Sequence, residues 1–230
     1  MRNLSTATIY FTLAMLFTLP TLAQDWAGLQ HFAEQNKNLS PPTANENRVV
    51  FMGNSITIGW LNSRPEFFEG KPYINRGISG QTTPQMLIRF RQDVIDLGPK
   101  AVVILAGTND IAGNTGPASL EMIVDNIKSM AQLANANGIK VIISSVLPAY
   151  DYPWRPGLKP NEKIPALNKL LKEYAENNGF YYLDYFSAMA DERNGLPKKY
   201  ANDEVHPTAQ GYAVMEPLVE EAISKVLNMR

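Results

Sequence analysis

Residues 51–60 read FMGNSITIGW. The apolar run Val49-Val50-Phe51-Met52 stops at Gly53-Asn54-Ser55, as a buried strand stops where a glycine lets the chain turn. A serine hydroxyl just past such a stop is either a helix N-cap or a nucleophile held at the rim of a sheet. The stretch alone is compatible with both readings, so the rest of the chain has to choose.

Around this stretch, strand-like and helix-like segments alternate. Apolar, β-branched runs bounded by turn residues occur at Arg48–Met52, Tyr73–Asn75, Ala101–Ala106, Lys140–Val146 and Phe180–Leu183, the pattern of strands buried on both faces. Apolar residues at helical spacing fill Thr83–Leu97, Ser119–Asn137, Asn161–Asn178 and Pro207–Asn228, the last with proline at its start and the second and third stopped by Gly138 and Gly179. Alternation of this kind predicts an α/β domain, one parallel sheet of about five strands sandwiched between helices. A proline-rich insertion, Pro148–Pro160, "PAYDYPWRPGLKP", fits neither helix nor central strand.

Residues 1–23 do not belong to that pattern. Arg2 is their only charge, Ile9–Leu19 is apolar, and Pro20-Thr21-Leu22-Ala23 precedes Gln24. A basic start, a short apolar run and a small-residue exit describe a secretory signal peptide cut after Ala23. The other reading is a retained anchor, but the run falls short of a bilayer span of roughly 20 residues. The expected layout is a leader at 1–23, a polar lead-in at 24–46 with a short amphipathic helix near Trp26, Leu29, Phe32 and Ala33, and one catalytic domain at 47–230. After cleavage the chain would be exported, periplasmic or extracellular, with no stable membrane insertion.

Composition narrows the function. The full chain carries a net charge of −1, made slightly more negative by loss of Arg2, which gives no support for nucleic acid as a partner. It has no cysteine, hence no disulfide, thiolate metal site or lipid-modified cysteine within it. With two histidines, His31 and His206, no metal cluster is suggested, and neither a metal nor another cofactor is expected.

Ligands of open parallel sheets bind beyond the carboxyl ends of the strands. Just past those ends the chain places Gly53-Asn54-Ser55, Gly77-Ile78-Ser79-Gly80-Gln81-Thr82 and Gly107-Thr108-Asn109-Asp110, and ahead of the last helix Asp203-Glu204-Val205-His206. A serine hydroxyl needs an adjacent base to attack at neutral pH. His31 lies in the lead-in and reads as a solvated helix residue, which leaves His206. Asp203, three residues earlier, is placed to accept the Nδ1 proton and fix the tautomer. Gly80 can present a free N–H, Asn109 an amide NH₂ and Ser55 its own N–H to an oxyanion. Each piece has a plainer reading: a cap for Ser55, a turn glycine for Gly80, an Asx turn for Asn109, a surface turn for the Asp/His pair. Their convergence favours acyl transfer. Position 57 is Thr, so the Gly-x-Ser-x-Gly elbow of α/β-hydrolases is absent. Ser144 and Ser145 are rival serines with no base in view.

The blocks "GNSIT", "GISGQT", "GTND" and "DEVHP", spread over residues 53–207, resemble the SGNH-hydrolase (GDSL-type esterase) superfamily in order and spacing. The resemblance implies a flavodoxin-like three-layer α/β/α fold and ester hydrolysis without a metal. It also implies Ser55 as nucleophile, Asp203 and His206 as its partners, and Gly80 and Asn109 as oxyanion donors. One departure is Asn54, where the family usually has Asp; it looks like a positioning group.

Substrate is less legible. Trp60, and Tyr150, Tyr152, Trp154 and Arg155 of the insertion, either meet a sugar ring and its polar groups or pack the insertion onto the body. The expected activity is removal of short acyl groups, acetyl foremost, from a glycan or small-molecule ester. A lysophospholipase or platelet-activating-factor-acetylhydrolase-like lipase is the alternative enzyme, and a silent glycan-binding module the non-enzymatic one. Oligomeric state is left open.

Overall fold

The computed structural model describes residues 25–228, so the expected leader lies outside it. The described chain forms strands β1 (Val49–Gly53), β2 (Tyr73–Gly77), β3 (Ala101–Leu105), β4 (Lys140–Ser144) and β5 (Tyr181–Leu183). Its helices are α1 (Ala33–Asn38), α2 (Ser55–Ser63), α3 (Pro65–Phe68), α4 (Thr83–Asp93), α5 (Thr108–Ile111), α6 (Leu120–Ala136), α7 (Pro160–Asn177), α8 (Tyr185–Met189) and α9 (Ala209–Asn228). All five strands pair in parallel in the order β2-β1-β3-β4-β5. The chain winds one way from β1 to β2 and then the other way from β3 onward, so a crevice opens between the ends of β1 and β3.

Alternation along each strand splits the core into two layers. Val50, Met52, Val102 and Ile104 pack with Met86, Phe90, Ile123, Ile127, Leu167 and Leu171 of α4, α6 and α7. Val49, Phe51, Val103 and Leu105 face the opposite way, onto Trp60, Phe67, Met189, Met215 and Val219 of α2, α3, α8 and α9. The three-layer α/β/α sandwich expected from the alternation is therefore the fold.

Boundaries shift where capping overrides periodicity. The helix expected over Thr83–Leu97 closes at Asp93 and continues as a 3₁₀ turn over Ile95–Leu97, ended by Gly98 at φ +61. α9 begins at Ala209, two residues after Pro207. Ser119 caps α6 through a hydrogen bond from the Met122 N–H, as its side-chain oxygen favours. α2, α3, α5 and α8 escaped the periodic reading because each is short, and α2 carries apolar residues on more than one face.

The lead-in is more than a connector. Its helix is only six residues, and Trp26 and Leu29 lie in turns before it. Three glutamine side chains of the next layer nevertheless grip its backbone: Gln81 to the Ala27 carbonyl (2.7 Å), Gln85 to Trp26 (2.6 Å) and Gln92 to Leu29 (2.6 Å). Asn36 adds bonds to Asp93 and from Arg76, each 2.7 Å.

α2 lies directly on β2, and Gly77 makes that approach possible. A Cβ at Gly77 would overlap the Ile58 backbone nitrogen and stand 2.8 Å from the Asn54 carbonyl oxygen. Backbone atoms cannot turn aside as a flexible side chain does, so Gly77→Ala must push α2 off the sheet. Thermal unfolding is expected to show a loss of about 1–3 kcal/mol, the range for overpacked interiors, and the shift should displace Ser55, which opens α2. An unchanged Tm would refute this packing.

Candidate active site

Asn54, not Ser55, caps α2. Its Oδ1 accepts the Ile56 N–H (3.0 Å), and its carbonyl accepts those of Thr57 and Ile58 (each 3.1 Å). The residue ahead of the serine thus does the capping, which leaves the Ser55 hydroxyl out of that role. The neutral carboxamide at position 54 fills this role without a charge next to Ser55. Ser55 is the first helical residue, half-buried, and its own N–H has no acceptor among the described residues; first-turn amides have none within the helix.

The Ser55 hydroxyl meets His206 Nε2 at 2.9 Å. His206 Nδ1 in turn lies 2.7 Å from Asp203 Oδ2. Asp203 curls back on its own turn, where Oδ1 accepts the N–H of Val205 (3.0 Å) and of His206 (2.7 Å). The turn is tight enough to hold Glu204 at φ +62, a left-handed conformation uncommon outside glycine. Burial pushes the Asp203 carboxyl upward, but the backbone N–H and ring of His206, with the Val205 N–H, outweigh it and hold the carboxyl below its ordinary value. An ionised carboxylate only accepts. Nδ1 therefore carries the proton, and in the neutral imidazole Nε2 is the nitrogen left to accept from the serine.

Gly80 comes from the loop after β2 and Asn109 from the short helix α5 after β3, on either side of β1. Gly80 sits at φ +77, its carbonyl accepts Asn114 Nδ2 (3.0 Å), and its N–H has no acceptor among the described residues. Asn109 is buried, and its Nδ2 donates one hydrogen to the Gln81 carbonyl (2.9 Å), leaving the second for another acceptor. The Ile78 N–H bonds the Gly53 carbonyl at 3.2 Å, so the Gly80 loop is tied to the strand end that carries Ser55.

Other expected residues are elsewhere. Trp60 is buried, not at the rim: its ring stacks on Phe67 (4.8 Å) and Tyr212 (5.5 Å), and Nε1 points to Glu216 (3.5 Å). It shares the buried face of α2 with Ile56 and Thr57, so no surface is left for a substrate. Tyr152 is likewise fully buried in the other core layer, under Trp154 (5.2 Å). Arg155 is exposed but engaged, Nη1 donating to the Ala112 (2.6 Å) and Gly113 (2.8 Å) carbonyls, where it fastens the insertion to the turn after α5. Trp154 alone of the four combines exposure, at 47 %, with proximity, its ring 5.8 Å from the imidazole of His206. His31 stands exposed in a turn ahead of α1 rather than in a helix. Of the rival serines, Ser144 Oγ donates to Ile104 (2.8 Å) and Ser145 Oγ accepts from Phe186 N–H (2.8 Å), so both are structural.

The sequence reading passed over Arg89. This buried guanidinium donates to Gln81 Oε1 (2.6 Å), Asp93 Oδ2 (3.0 Å) and the carbonyls of Gly53 (3.1 Å) and Arg76 (2.9 Å), holding the ends of β1 and β2 together. Its signal was an Arg and an Asp four apart on the same helical stripe as Met86 and Phe90.

Residues 51–214 match the GDSL-like lipase/acylhydrolase family model. A Bacteroides fragilis protein described as an acylhydrolase is 51% identical, with 89% of this chain and 100% of that one aligned at a TM-score of 0.87. A GDSL-like lipase from Bacteroides thetaiotaomicron is 49% identical over 86% of this chain and 98% of its own, with a TM-score of 0.85. An uncharacterised lipoprotein of Bacillus subtilis is 30% identical over 135 residues, which cover 56% of this chain but only 45% of that relative. The family match runs from the strand that ends beside Ser55 into the helix that follows His206, and on that evidence the chain belongs to the GDSL-like lipase/acylhydrolase family and is an ester hydrolase.

Proposed function

We propose that this chain is an exported serine esterase that removes short acyl groups, acetyl foremost, from a carbohydrate. The observation that carries the reaction is the unbroken relay from Ser55 Oγ to His206 Nε2 (2.9 Å) and from Nδ1 to Asp203 (2.7 Å). In this reading Ser55 Oγ attacks the ester carbonyl while Nε2 takes its proton, and Asp203 stabilises the imidazolium that results. The oxyanion is met by the N–H groups of Ser55 and Gly80 and by Asn109 Nδ2. Collapse of the tetrahedral intermediate expels the alcohol, which receives its proton from Nε2–H. A water molecule then enters by the same base and releases the acid.

That proton transfer also supports the substrate assignment. The departing oxygen must stand at His206 Nε2, so the alcohol half of the ester occupies the histidine side of the site, away from the oxyanion donors. Trp154 is the exposed aromatic on that side. An indole plane suits the apolar face of a sugar ring.

Ser55→Ala should abolish turnover and the fluorophosphonate adduct while leaving thermal unfolding unchanged. Asp203→Asn should keep the fold and lower kcat, by up to about 10⁴-fold for a wrong tautomer; full activity in it would remove Asp203 from the mechanism. Trp154→Ala should raise KM for acetylated oligosaccharides and leave 4-nitrophenyl acetate hydrolysis nearly unchanged. The acetate ester should be preferred to the decanoate, and preference for decanoate or for lysophospholipid would replace the carbohydrate reading with a lipid one. N-terminal sequencing of the protein released from expressing cells should begin at Gln24, and an intact Met1 on released protein would refute cleavage.

A further inference from the structure

α5 and the turn after it run beside the loop that carries Gly80, and the two are joined by a ladder of side-chain bonds. Asn109 Nδ2 donates to the Gln81 carbonyl (2.9 Å), Asn114 Nδ2 to the Gly80 carbonyl (3.0 Å), and the hydroxyls of Thr82 and Thr115 meet at 2.9 Å. The remaining rung is a carboxylate. Asp110, 3 % exposed, accepts the Thr83 N–H at both oxygens (3.0 and 3.1 Å) and the Thr83 hydroxyl at Oδ1 (2.6 Å). Asn126 of α6 donates to the same hydroxyl (3.0 Å), which directs the hydroxyl's own hydrogen to Asp110.

We propose that Asp110 is a positioning residue for catalysis: its carboxylate locks the start of α4 to α5 and thereby sets the spacing between two of the three oxyanion donors, Gly80 and Asn109. This rests on the reading of those two groups as donors. Asp110 itself touches neither substrate nor the reacting atoms.

The position makes chemical sense of an otherwise costly residue. Thr83 opens α4, and a helix start attracts negative charge through its aligned, unpaired N–H groups. Burial still dominates: it raises the Asp110 carboxyl to about 6, with the Thr83 bonds pulling the other way. The other polar groups facing it are the Tyr152 phenol, itself raised by burial, and Arg155 and Lys163 across a cavity of about 240 Å³. An acid whose value is raised on folding favours the folded state below its unfolded value, near 3.8, and that contribution is lost as pH rises through about 6. At neutral pH the carboxylate is thus maintained against a stability cost.

The test is Asp110→Asn beside Thr83→Ser and Thr83→Val, assayed on 4-nitrophenyl acetate, with Asn109→Ala as a separate report on the donors. Asp110→Asn and Thr83→Val should lower kcat by up to about 10²-fold, the scale of a small misplacement, with KM nearly unchanged. Thr83→Ser, which keeps both bonds, should retain the wild-type kcat. The Tm of Asp110→Asn at pH 8 should equal or exceed that of the wild type. An unchanged kcat in Asp110→Asn, while Asn109→Ala loses about 10²–10³-fold, would overturn the positioning role and leave the donors in place. A kcat loss accompanied by an equal loss in Thr83→Ser, or by a collapse in Tm, would assign Asp110 to structure alone. An active Asn109→Ala would instead overturn the donor assignment beneath it.

Discussion

Three neighbouring strands end at the same height, and the site depends on that register. Gly53, the last residue of β1, pairs with Gly77 of β2 on one side and Leu105 of β3 on the other. Parallel strands all deliver their carboxyl ends to one edge. A serine, a glycine loop and an asparagine far apart in sequence therefore leave the sheet side by side. Slipping any strand by one residue would exchange its two faces and separate these groups at once. The last helix completes the set, since the turn ahead of α9 brings His206 back across the same edge.

Buried polar bonds then hold the edge to tighter tolerance than hydrophobic packing gives. Arg89 is the clearest case. Burial pulls its guanidinium below its ordinary value while Asp93 pushes back, and its donors are spent on the ends of β1 and β2, on Gln81 and on Asp93. Removing one member of such a network leaves the other charge unpaired in the interior, a loss of about 3–5 kcal/mol. Arg76 extends the network to the lead-in through Asn36 and through the ring of Phe32, 4.6 Å below its guanidinium. Strand ends, glycine loop and lead-in are thus tied together by one polar network.

The fold was legible because parallel strands buried on both faces are written as unbroken apolar runs, and helices such as α6 carry a regular stripe ended by glycine. The blocks around Ser55, Gly80, Asn109 and His206 were legible because turn residues mark the strand ends. What composition could not say was direction. Trp60 and Tyr152 are aromatics near those blocks, yet both turn inward, because burying a large ring in the core outweighs leaving it at the rim. Arg155 has charge to offer but meets two backbone carbonyls first. The roles of Asn54 and Asp110 depend on which N–H each side chain reaches, and only three-dimensional placement supplies that.

The grip of Gln81, Gln85 and Gln92 on the lead-in has a practical corollary. Gln81, next to Gly80 in the chain, holds the carbonyl of Ala27, so anything tethered just ahead of Asp25 pulls on a segment two residues away from that bond. α9 starts beside His206 and runs for 20 residues, about 30 Å, before reaching Asn228. A label, surface linker or fusion partner joined beyond Asn228 is kept a full domain's breadth from Ser55 and His206, and immobilisation through that end leaves the open edge of the sheet facing outward.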